Sequence, residues 1–269
     1  MRLSSWGQGS VQLTTRTVGQ SNLRVISGGS GSTLLFLHGM ERHPGDATFL
    51  NRLAEHRHVV APEHPGYGES TGFDSLKDLV DVVLHYRTLV ESLGDEPVDL
   101  VGHCVGGMFA AEFAALCPHL VRRLVLVAPY GLWLDDLPLP DPFAMEPDDL
   151  KRAKWGANEP PDPEPSIALA FPDDPHAQVF DRVRNMASAT KFLWPIPDRG
   201  LGRRLPYIKA KTLIVIGDAD GLVLPAYANE FAQLIPKAKV KTIDGAGHYP
   251  MFDREAEFTA TVEAFLDAD

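Results

Sequence analysis

The segment Gly102-His103-Cys104-Val105-Gly106 carries the clearest chemical signal in this sequence. It follows a short apolar run that is typical of a buried strand, and it precedes a stretch with the pattern of a helix. A tight turn between strand and helix forces its central residue into a strained backbone conformation, and the flanking glycines let the two elements approach closely. The N-terminus of the helix would favour a thiolate and, later in a reaction, an oxyanion. The pattern predicts a cysteine nucleophile at position 104.

A thiol nucleophile needs a base, and two glycine-rich loops near the end of the chain contain the candidates. His248 lies in the segment GAGHYP at 245–250, after the last predicted strand, where an imidazole would project over the edge of a sheet. Asp220 lies in the loop after the preceding strand, and a carboxylate there would fix the imidazole tautomer and stabilise the imidazolium. We therefore predict a catalytic triad of Cys104, His248 and Asp220.

These three residues need a scaffold that brings distant segments to one place. The predicted strands include 34–37, 58–61, 98–101, 124–128, 212–216 and 240–243, and the predicted helices include 46–54, 105–116, 226–235 and 255–266. A longer helix is predicted between Asp74 as its N-cap and Gly94 beyond its end. Because strands that are apolar throughout are buried on both faces, the alternation predicts an α/β fold, with a mostly parallel central sheet and helices on both faces.

The regular alternation stops between about residues 131 and 206. This segment holds 13 of the 22 prolines and three of the four tryptophans. We predict that residues 1–130 and 207–269 form the core of the fold. Residues 131–206 are then an inserted cap over the carboxyl edge of the sheet, where open α/β sheets bind their ligands. An irregular surface insertion without a role in function is the alternative.

Composition and charge limit the partners that we expect. The formal net charge of −11 at pH 7 would repel nucleic-acid phosphates and anionic lipid surfaces, so we expect no nucleic acid and no membrane as partner. The first ten residues lack the apolar core of a secretory signal, and no stretch reaches the roughly 18 apolar residues of a membrane span, which favours a cytoplasmic location. Cys104 and Cys117 fall at opposite ends of one predicted helix, so we expect free thiols. A monomer and a homodimer both fit the sequence.

The sequence gives no reason to expect a cofactor or a metal. The glycine-serine stretch at 28–32 lacks the Gly-Lys-Ser/Thr ending of a phosphate-binding loop, and it precedes a strand instead of a helix. His56 and His58 have an alternating spacing, but no carboxylate or further histidine completes a recognisable set of metal ligands. The small molecule that we expect at the site is therefore the substrate alone.

Several motifs together resemble the α/β-hydrolase superfamily, over the chain from about Leu34 to the C-terminus outside the insertion. The segment FLHGM at 36–40 resembles the family's His-Gly oxyanion loop. The segment APEHPGYGES at 61–70 resembles its turn after the next strand, and residues 217–225 resemble its acid loop. The order of nucleophile, acid and histidine along the chain is also the order in this fold.

The resemblance implies roles for further residues. The backbone N–H groups of Met40 and Val105 would form the oxyanion hole, where loss of one donor typically costs about 3–4 kcal/mol of transition-state stabilisation. Asp218 is a second candidate for the acid of the triad, but the spacing that resembles the family's acid loop favours Asp220.

One residue departs from the family pattern, because most relatives have serine where this chain has Cys104. Cysteine nucleophiles occur in this fold, as in dienelactone hydrolases, so a native cysteine enzyme is one interpretation. Replacement of the serine by cysteine is also a common way to trap an acyl-enzyme, so a serine hydrolase with an exchanged nucleophile is the other. The sequence leaves both open.

The expected function is that of an esterase-like hydrolase with a small-molecule acyl substrate. The Cys104 thiolate would attack the carbonyl of a carboxylic ester, thioester or lactone to form an acyl-cysteine intermediate. Haloalkane and epoxide hydrolysis in this fold use an aspartate nucleophile, which argues against both reactions here. A carbon–carbon bond hydrolase of the same fold and a weakly catalytic ligand receptor are the alternatives.

Four residues near the predicted site are candidates for substrate binding. His38 and His103 flank the nucleophile, where each would contact substrate or brace its own loop by a hydrogen bond. Tyr130 and Trp133 would line an apolar acyl pocket or fill a small core within the cap.

Overall fold

The computed structural model describes residues 11–41, 48–158 and 175–268. Its centre is an eight-stranded sheet in the order β1-β2-β4-β3-β5-β6-β7-β8. The strands are β1 Gln12–Val18, β2 Ser21–Gly28, β3 Thr33–Leu37, β4 His58–Pro62, β5 Val98–His103, β6 Val121–Val127, β7 Lys211–Gly217 and β8 Ala238–Ile243. β2 pairs antiparallel with β1 and β4, and the remaining neighbours pair in parallel.

Eight α-helices lie in the described part of the chain. They are α1 Thr48–Leu53, α2 Leu79–Glu91, α3 Val105–Leu116, α4 Pro147–Trp155, α5 Pro175–Leu193, α6 Ala226–Leu234, α7 Pro250–Asp253 and α8 Glu255–Asp267. One hydrophobic cluster packs α2, α3 and α6 on one face of the sheet. A second packs α1 and α8 on the other face. The predicted fold class, a mostly parallel sheet with helices on both faces, is confirmed.

The central strands explain this arrangement. Every residue of β5 is buried, and β6 is buried except at Arg122. Strands that are apolar on both faces need cover from both sides, and the helical crossovers between parallel strands supply it. The carboxyl ends of β3, β5, β6, β7 and β8 consequently lie along one edge, and the loops that follow them carry the predicted site residues.

The start of α2 differs from the prediction. Asp78 is the N-cap, and its side chain accepts hydrogen bonds from the backbone N–H groups of Val80 at 2.8 Å and Asp81 at 3.1 Å. Asp74 lies instead in a 3-10 turn that follows Gly72, whose φ is 94°. Both aspartates have the side chain that a cap needs. The path of the preceding loop decides which one faces the free N–H groups.

The insertion lies between β6 and β7 and contains α4 and α5 in its described part. Residues 159–174, which hold several of the prolines behind the cap prediction, fall outside the described residues. Within the part of the chain that is described, no helix is both long enough and apolar enough to cross a bilayer.

Candidate active site

Cys104 stands on a sharp turn between β5 and α3. Its φ and ψ are 57° and −120°, a conformation that side-chain-bearing residues rarely adopt. The Cys104 N–H donates to the carbonyl of Val127 at the end of β6, at 2.9 Å. The side chain is only 1% exposed. The strain that the sequence predicted at this position is therefore present, and the thiol is buried beside the sheet edge.

The two glycines around Cys104 are required by close backbone contacts. A Cβ added to Gly102 would lie 2.4 Å from the carbonyl oxygen of Gly106. A Cβ added to Gly106 would lie 2.2 Å from the carbonyl oxygen of His38. Carbon and oxygen atoms do not approach this closely, so no larger residue fits without moving the turn or the His38 loop.

We expect Gly106→Ala to lower the free energy of unfolding by about 3 kcal/mol, because the new methyl group overlaps backbone that cannot rotate away. Urea unfolding followed by circular dichroism measures the loss. Gly202→Ala is the matched control, since its Cβ would first meet a Leu132 side-chain atom at 3.4 Å, an ordinary contact. Equal stabilities of the two variants would contradict the close fit of the turn.

The loops after β7 and β8 bring an acid to an imidazole. His248 Nδ1 lies 2.9 Å from Asp220 Oδ2, and both side chains are buried. The other oxygen of Asp220 accepts from the N–H groups of Leu222 at 2.8 Å and Val223 at 2.9 Å. Asp218 has a different contact, because its carboxylate accepts from the N–H of Gly245 at 2.6 Å and ties the two loops together. Of the two candidate acids, the structure thus joins Asp220 to the histidine.

The imidazole also interacts with the thiol. Burial alone would lower the pKa of His248, but the charges of Asp220 and Cys104 and the hydrogen bond to Asp220 raise it to about 10. Asp220 occupies Nδ1, and Nε2 has no hydrogen-bond partner among the described residues. The thiol therefore acts on the imidazole through its charge, and the imidazole is hydrogen-bonded to the carboxylate.

We expect the pKa of His248 to fall when Cys104 is replaced by alanine. A charge on the sulfur raises the pKa of the imidazole, so its removal should lower that pKa. NMR titration of the His248 ring protons measures the change from the value near 10. Cys117→Ala, at the far end of α3, should leave the titration unchanged. A His248 pKa that is the same in both variants would show that the thiol and the imidazole do not interact.

The loop after β3 packs directly against Cys104. A Cβ added to Gly39 would lie 2.9 Å from the Cβ of Cys104, so only glycine allows this approach. The next residue is Met40, and its N–H, like that of Val105, has no acceptor among the residues that the structure describes. Free N–H donors beside a nucleophile are what an oxyanion hole requires.

His38 and His103 are both hydrogen-bonded to the loops around the site. His38 Nδ1 donates to the carbonyl of Gly39, and Nε2 accepts from the N–H of His64, both at 2.9 Å. Burial holds the pKa of His103 well below its ordinary value, so the ring is neutral, and its Nε2–H donates to the carbonyl of His248 at 2.9 Å. Both rings brace loops through these bonds. Substrate contact by His38 and His103 stays a prediction.

Tyr130 and Trp133 lie just after β6. Tyr130 is 2% exposed, its ring centroid is 6.3 Å from that of His248, and its hydroxyl has no hydrogen-bond partner among the described residues. Burial, then the charges of Cys104 and Asp220, raise the pKa of Tyr130 well above its ordinary value. Trp133 is half-buried and packs against the hydrophobic core.

Two residues near the site were missed by the sequence analysis. Burial, then the charge of Cys104, raises the pKa of Tyr67 well above its ordinary value, so this buried phenol is within electrostatic reach of Cys104. His64 donates from Nε2 to the carbonyl of His38 at 2.8 Å and bonds through Nδ1 to the hydroxyl of Tyr86. Both residues belong to the turn at 61–70. The motif of this turn predicted a loop, but it gave no information on which side chains face the site.

The described residues contain no group of three or more histidine, cysteine, aspartate or glutamate side chains that could hold a metal ion. Both cysteines are free thiols.

Known proteins resemble this chain over most of its length. A model of the Alpha/beta hydrolase family matches residues 34–261. Polyketide synthase ThaQ of Burkholderia thailandensis is 30% identical over 261 residues, which cover 93% of this chain and 12% of that synthase. The chain therefore spans a small part of this relative.

Two further relatives match over most of their own length. Lipase 1 of Psychrobacter immobilis is 26% identical, over 88% of this chain and 77% of the lipase. The 2-hydroxy-6-oxo-2,4-heptadienoate hydrolase of Pseudomonas putida is 25% identical, over 97% of this chain and 95% of that enzyme. In the crystal structure of a membrane phospholipase A, the same fold is found with a TM-score of 0.81 and 24% identity, over 96% of this chain and 86% of that chain. Together with the family model, the sheet order and the geometry of the turn at position 104, these matches show that the chain belongs to the alpha/beta hydrolase family.

Proposed function

We propose that this chain hydrolyses a carboxylic ester, thioester or lactone through a covalent acyl intermediate on Cys104. The observation that carries the proposal is the buried hydrogen bond between His248 and Asp220, together with the electrostatic effect of Cys104 on the same imidazole. The lipase among the relatives supports an ester or a related acyl group as the substrate. The proposal includes residues 131–206 as a cap over this site.

In the first half of the reaction, the Cys104 thiolate attacks the carbonyl carbon of the substrate. The carbonyl electron pair moves to the oxygen, and the N–H groups of Met40 and Val105 stabilise the oxyanion. As the tetrahedral intermediate collapses, the bond to the leaving group breaks, and Nε2–H of His248 protonates that group. Asp220 stabilises the imidazolium until the proton is transferred. The products are an acyl-cysteine thioester and an alcohol or thiol.

In the second half, water replaces the leaving group. His248 Nε2, now neutral, takes a proton from the water as its oxygen attacks the thioester carbonyl. The second tetrahedral intermediate collapses by breaking the carbon–sulfur bond, which releases the carboxylic acid and restores the thiolate. The imidazolium keeps the proton, so the site returns to its starting state.

Tyr130 and Trp133 are proposed as substrate contacts, with His38 and His103 as further candidates. The Tyr130 hydroxyl is buried beside the thiol and lacks a protein partner among the described residues. A buried hydroxyl without a partner is costly, and an acceptor oxygen on a bound substrate would satisfy it. Trp133, half-buried at the start of the insertion, would contribute apolar surface to the acyl group.

We expect Tyr130→Phe to reduce kcat/KM by about 10-fold, the value of one hydrogen bond to substrate, without a loss of stability. Tyr227→Phe is the matched control. The Tyr227 hydroxyl donates to the carbonyl of Leu137 at 2.8 Å and accepts from the N–H of Leu134 at 3.0 Å, so its removal should lower the free energy of unfolding. Kinetics and urea unfolding of both variants check the pair. Unchanged kinetics in Tyr130→Phe would remove this residue from the proposed site.

Carbon–carbon bond hydrolysis is the second candidate function. The observation that favours it is the match over nearly the full length of both chains to the 2-hydroxy-6-oxo-2,4-heptadienoate hydrolase of Pseudomonas putida. That reaction also adds water across a bond next to a carbonyl. The two candidate reactions differ in which bond to the carbonyl carbon is broken, so trials with both kinds of substrate distinguish them.

The deciding experiment compares wild type, Cys104→Ser and Cys104→Ala on a panel of esters, thioesters, lactones and 2-hydroxy-6-oxo-2,4-heptadienoate, with product formation and intact protein mass followed together. Turnover of an acyl substrate by wild type and its loss in Cys104→Ala would support a cysteine hydrolase. Turnover of the dienoate alone would favour the carbon–carbon hydrolase.

Two other outcomes would overturn the proposal. Accumulation of acylated wild type, with turnover only in Cys104→Ser, would indicate a serine hydrolase whose nucleophile has been exchanged. A tightly bound ligand with neither turnover nor adduct in any of the three proteins would indicate a receptor.

A further inference from the structure

The last turn of α4 contacts both loops that carry the acid and the base. The backbone carbonyl of Lys154 accepts a hydrogen bond from the N–H of His248 at 2.7 Å. The carbonyl of Ala153 accepts from the N–H of Gly221, the residue after Asp220, at 2.9 Å. Two adjacent carbonyls at the C-terminus of one helix therefore hold the backbone on both sides of the bond between His248 and Asp220.

Glycines make this contact possible. A Cβ added to Gly247 would lie 2.3 Å from the carbonyl oxygen of Lys154. A Cβ added to Gly221 would lie 2.9 Å from the Cα of Ala153. Both catalytic loops thus present bare backbone to α4, and the spacing leaves little room for the helix to shift against them.

The side chain of Lys154 reaches a third element. Its ammonium lies 3.1 Å and 3.0 Å from the two carboxylate oxygens of Glu41, and both side chains are buried. Glu41 directly follows Met40, whose N–H is a proposed oxyanion donor. The hydroxyl of Tyr249, next to His248, donates to the same carboxylate at 3.0 Å. Trp155 stacks on the Tyr249 ring, with centroids 5.0 Å apart and an interplanar angle of 22°.

The contacts of Glu41 favour its carboxylate form, although burial opposes it. Burial alone would raise the pKa of Glu41, but the charge of Lys154, its hydrogen bond and weaker contributions from Arg182 and Tyr249 lower it. A buried ion pair often contributes little net stability, because two charges lose their hydration. The pair still fixes the position of Lys154 against Glu41, because the ammonium contacts both carboxylate oxygens and the Tyr249 hydroxyl contacts one of them.

We infer that the last turn of α4 is a positioning element of the catalytic centre. Its backbone carbonyls, at Ala153 and Lys154, hold the loops of Asp220 and His248. The ion pair between Lys154 and Glu41 holds the loop that carries the Met40 N–H. Lys154, Glu41 and Tyr249 act through other residues and are positioning residues. The inference extends the proposed hydrolase function, since its kinetic readout requires turnover. It also assigns the part of the insertion that ends at Trp155 to the active site.

The test is the double variant Lys154→Met/Glu41→Gln, which removes both charges and leaves no buried ion unpaired. We expect kcat to fall about 10- to 100-fold, as for small displacements of reacting groups, with KM within about threefold of wild type. The pKa of His248, measured by NMR, should fall toward its ordinary value as the bond to Asp220 loosens. Because the double substitution leaves the local net charge unchanged, a fall in the His248 pKa would reflect a change in the placement of His248 against Asp220. Lys151→Met, an exposed lysine on the same helix, should change neither quantity.

Wild-type kcat and an unchanged His248 pKa in the folded double variant would overturn the inference and leave the pair a structural role only. If the double variant does not fold, Tyr249→Phe removes one hydroxyl and keeps the stacked ring. It should lower kcat by about 3- to 10-fold, the value of one hydrogen bond, and lower the His248 pKa; no change in either would overturn the inference. If wild type hydrolyses nothing, the proposed function fails, but the NMR titration still tests the positioning.

Discussion

Cys104→Ala is expected to reduce kcat by about 10⁵-fold or more, because the covalent route disappears when the atom that forms the acyl bond is removed. The residual rate would come from the oxyanion hole and from substrate binding alone. The fold should survive, since alanine fits the space of the buried thiol. Steady-state kinetics on the best acyl substrate of the panel, with circular dichroism to verify folding, measure the effect.

Cys117→Ala is the matched control for this substitution. Cys117 is the other free thiol, at the C-terminal cap of the same helix, and burial raises its pKa. It lies away from His248, so the variant should retain wild-type kcat. A folded Cys104→Ala protein that still turns over substrate at more than a few per cent of the wild-type rate would be incompatible with an acyl-cysteine intermediate.

Asp220→Asn should reduce kcat by about 10⁴-fold, although it changes one oxygen to nitrogen and keeps the shape of the side chain. An amide does not carry the charge that stabilises the imidazolium, and its NH₂ group facing Nδ1 would favour the wrong tautomer of His248. The pKa of His248 should also fall, because the charge of Asp220 is the first of the causes that raise it to about 10. The pH dependence of kcat and the NMR titration measure the two effects.

The same substitution two residues earlier gives the control. Asp218 lies in the same loop, but its carboxylate accepts from Gly245 and not from the imidazole. Asp218→Asn should therefore weaken the contact between the loops and lower stability slightly, with little change in kcat. Equal kinetic losses in the two variants would show that the loop as a whole, and not the charge of Asp220, supports the reaction.

The relatives and the contacts of α4 together point to the insertion as a source of substrate specificity in this family. Lipase 1 and the 2-hydroxy-6-oxo-2,4-heptadienoate hydrolase are both similar to this chain over most of their length, and their names give different substrates. In this chain the insertion supplies α4, which contacts the loops of the proposed acid, base and oxyanion donor at once. A change in the insertion would then alter both the shape of the site and the placement of its reacting groups.

The sequence alone determined the features that depend on local pattern. Apolar runs in alternation with helical patterns predicted the parallel sheet and its helices. Strands that are buried on both faces are apolar throughout, and this composition is visible in the sequence itself. The glycines at 102 and 106 predicted the strained turn at Cys104, since few other sequences allow a strand and a helix to meet so closely. The loop after β7 and the loop after β8 pointed to Asp220 and His248, because both follow neighbouring parallel strands and so reach the same edge.

Contacts between distant segments were decided only by the tertiary structure. Nothing local distinguishes Asp78 from Asp74 as the cap of α2, or tells a histidine that braces a loop from one that faces a substrate. Glu41 and Lys154 are 113 residues apart, and each is an ordinary surface residue by type until the fold buries them together. The physical reason is that backbone preference and hydrophobic period act over a few residues, whereas the direction of a polar side chain depends on which partner the completed fold brings within about 3 Å.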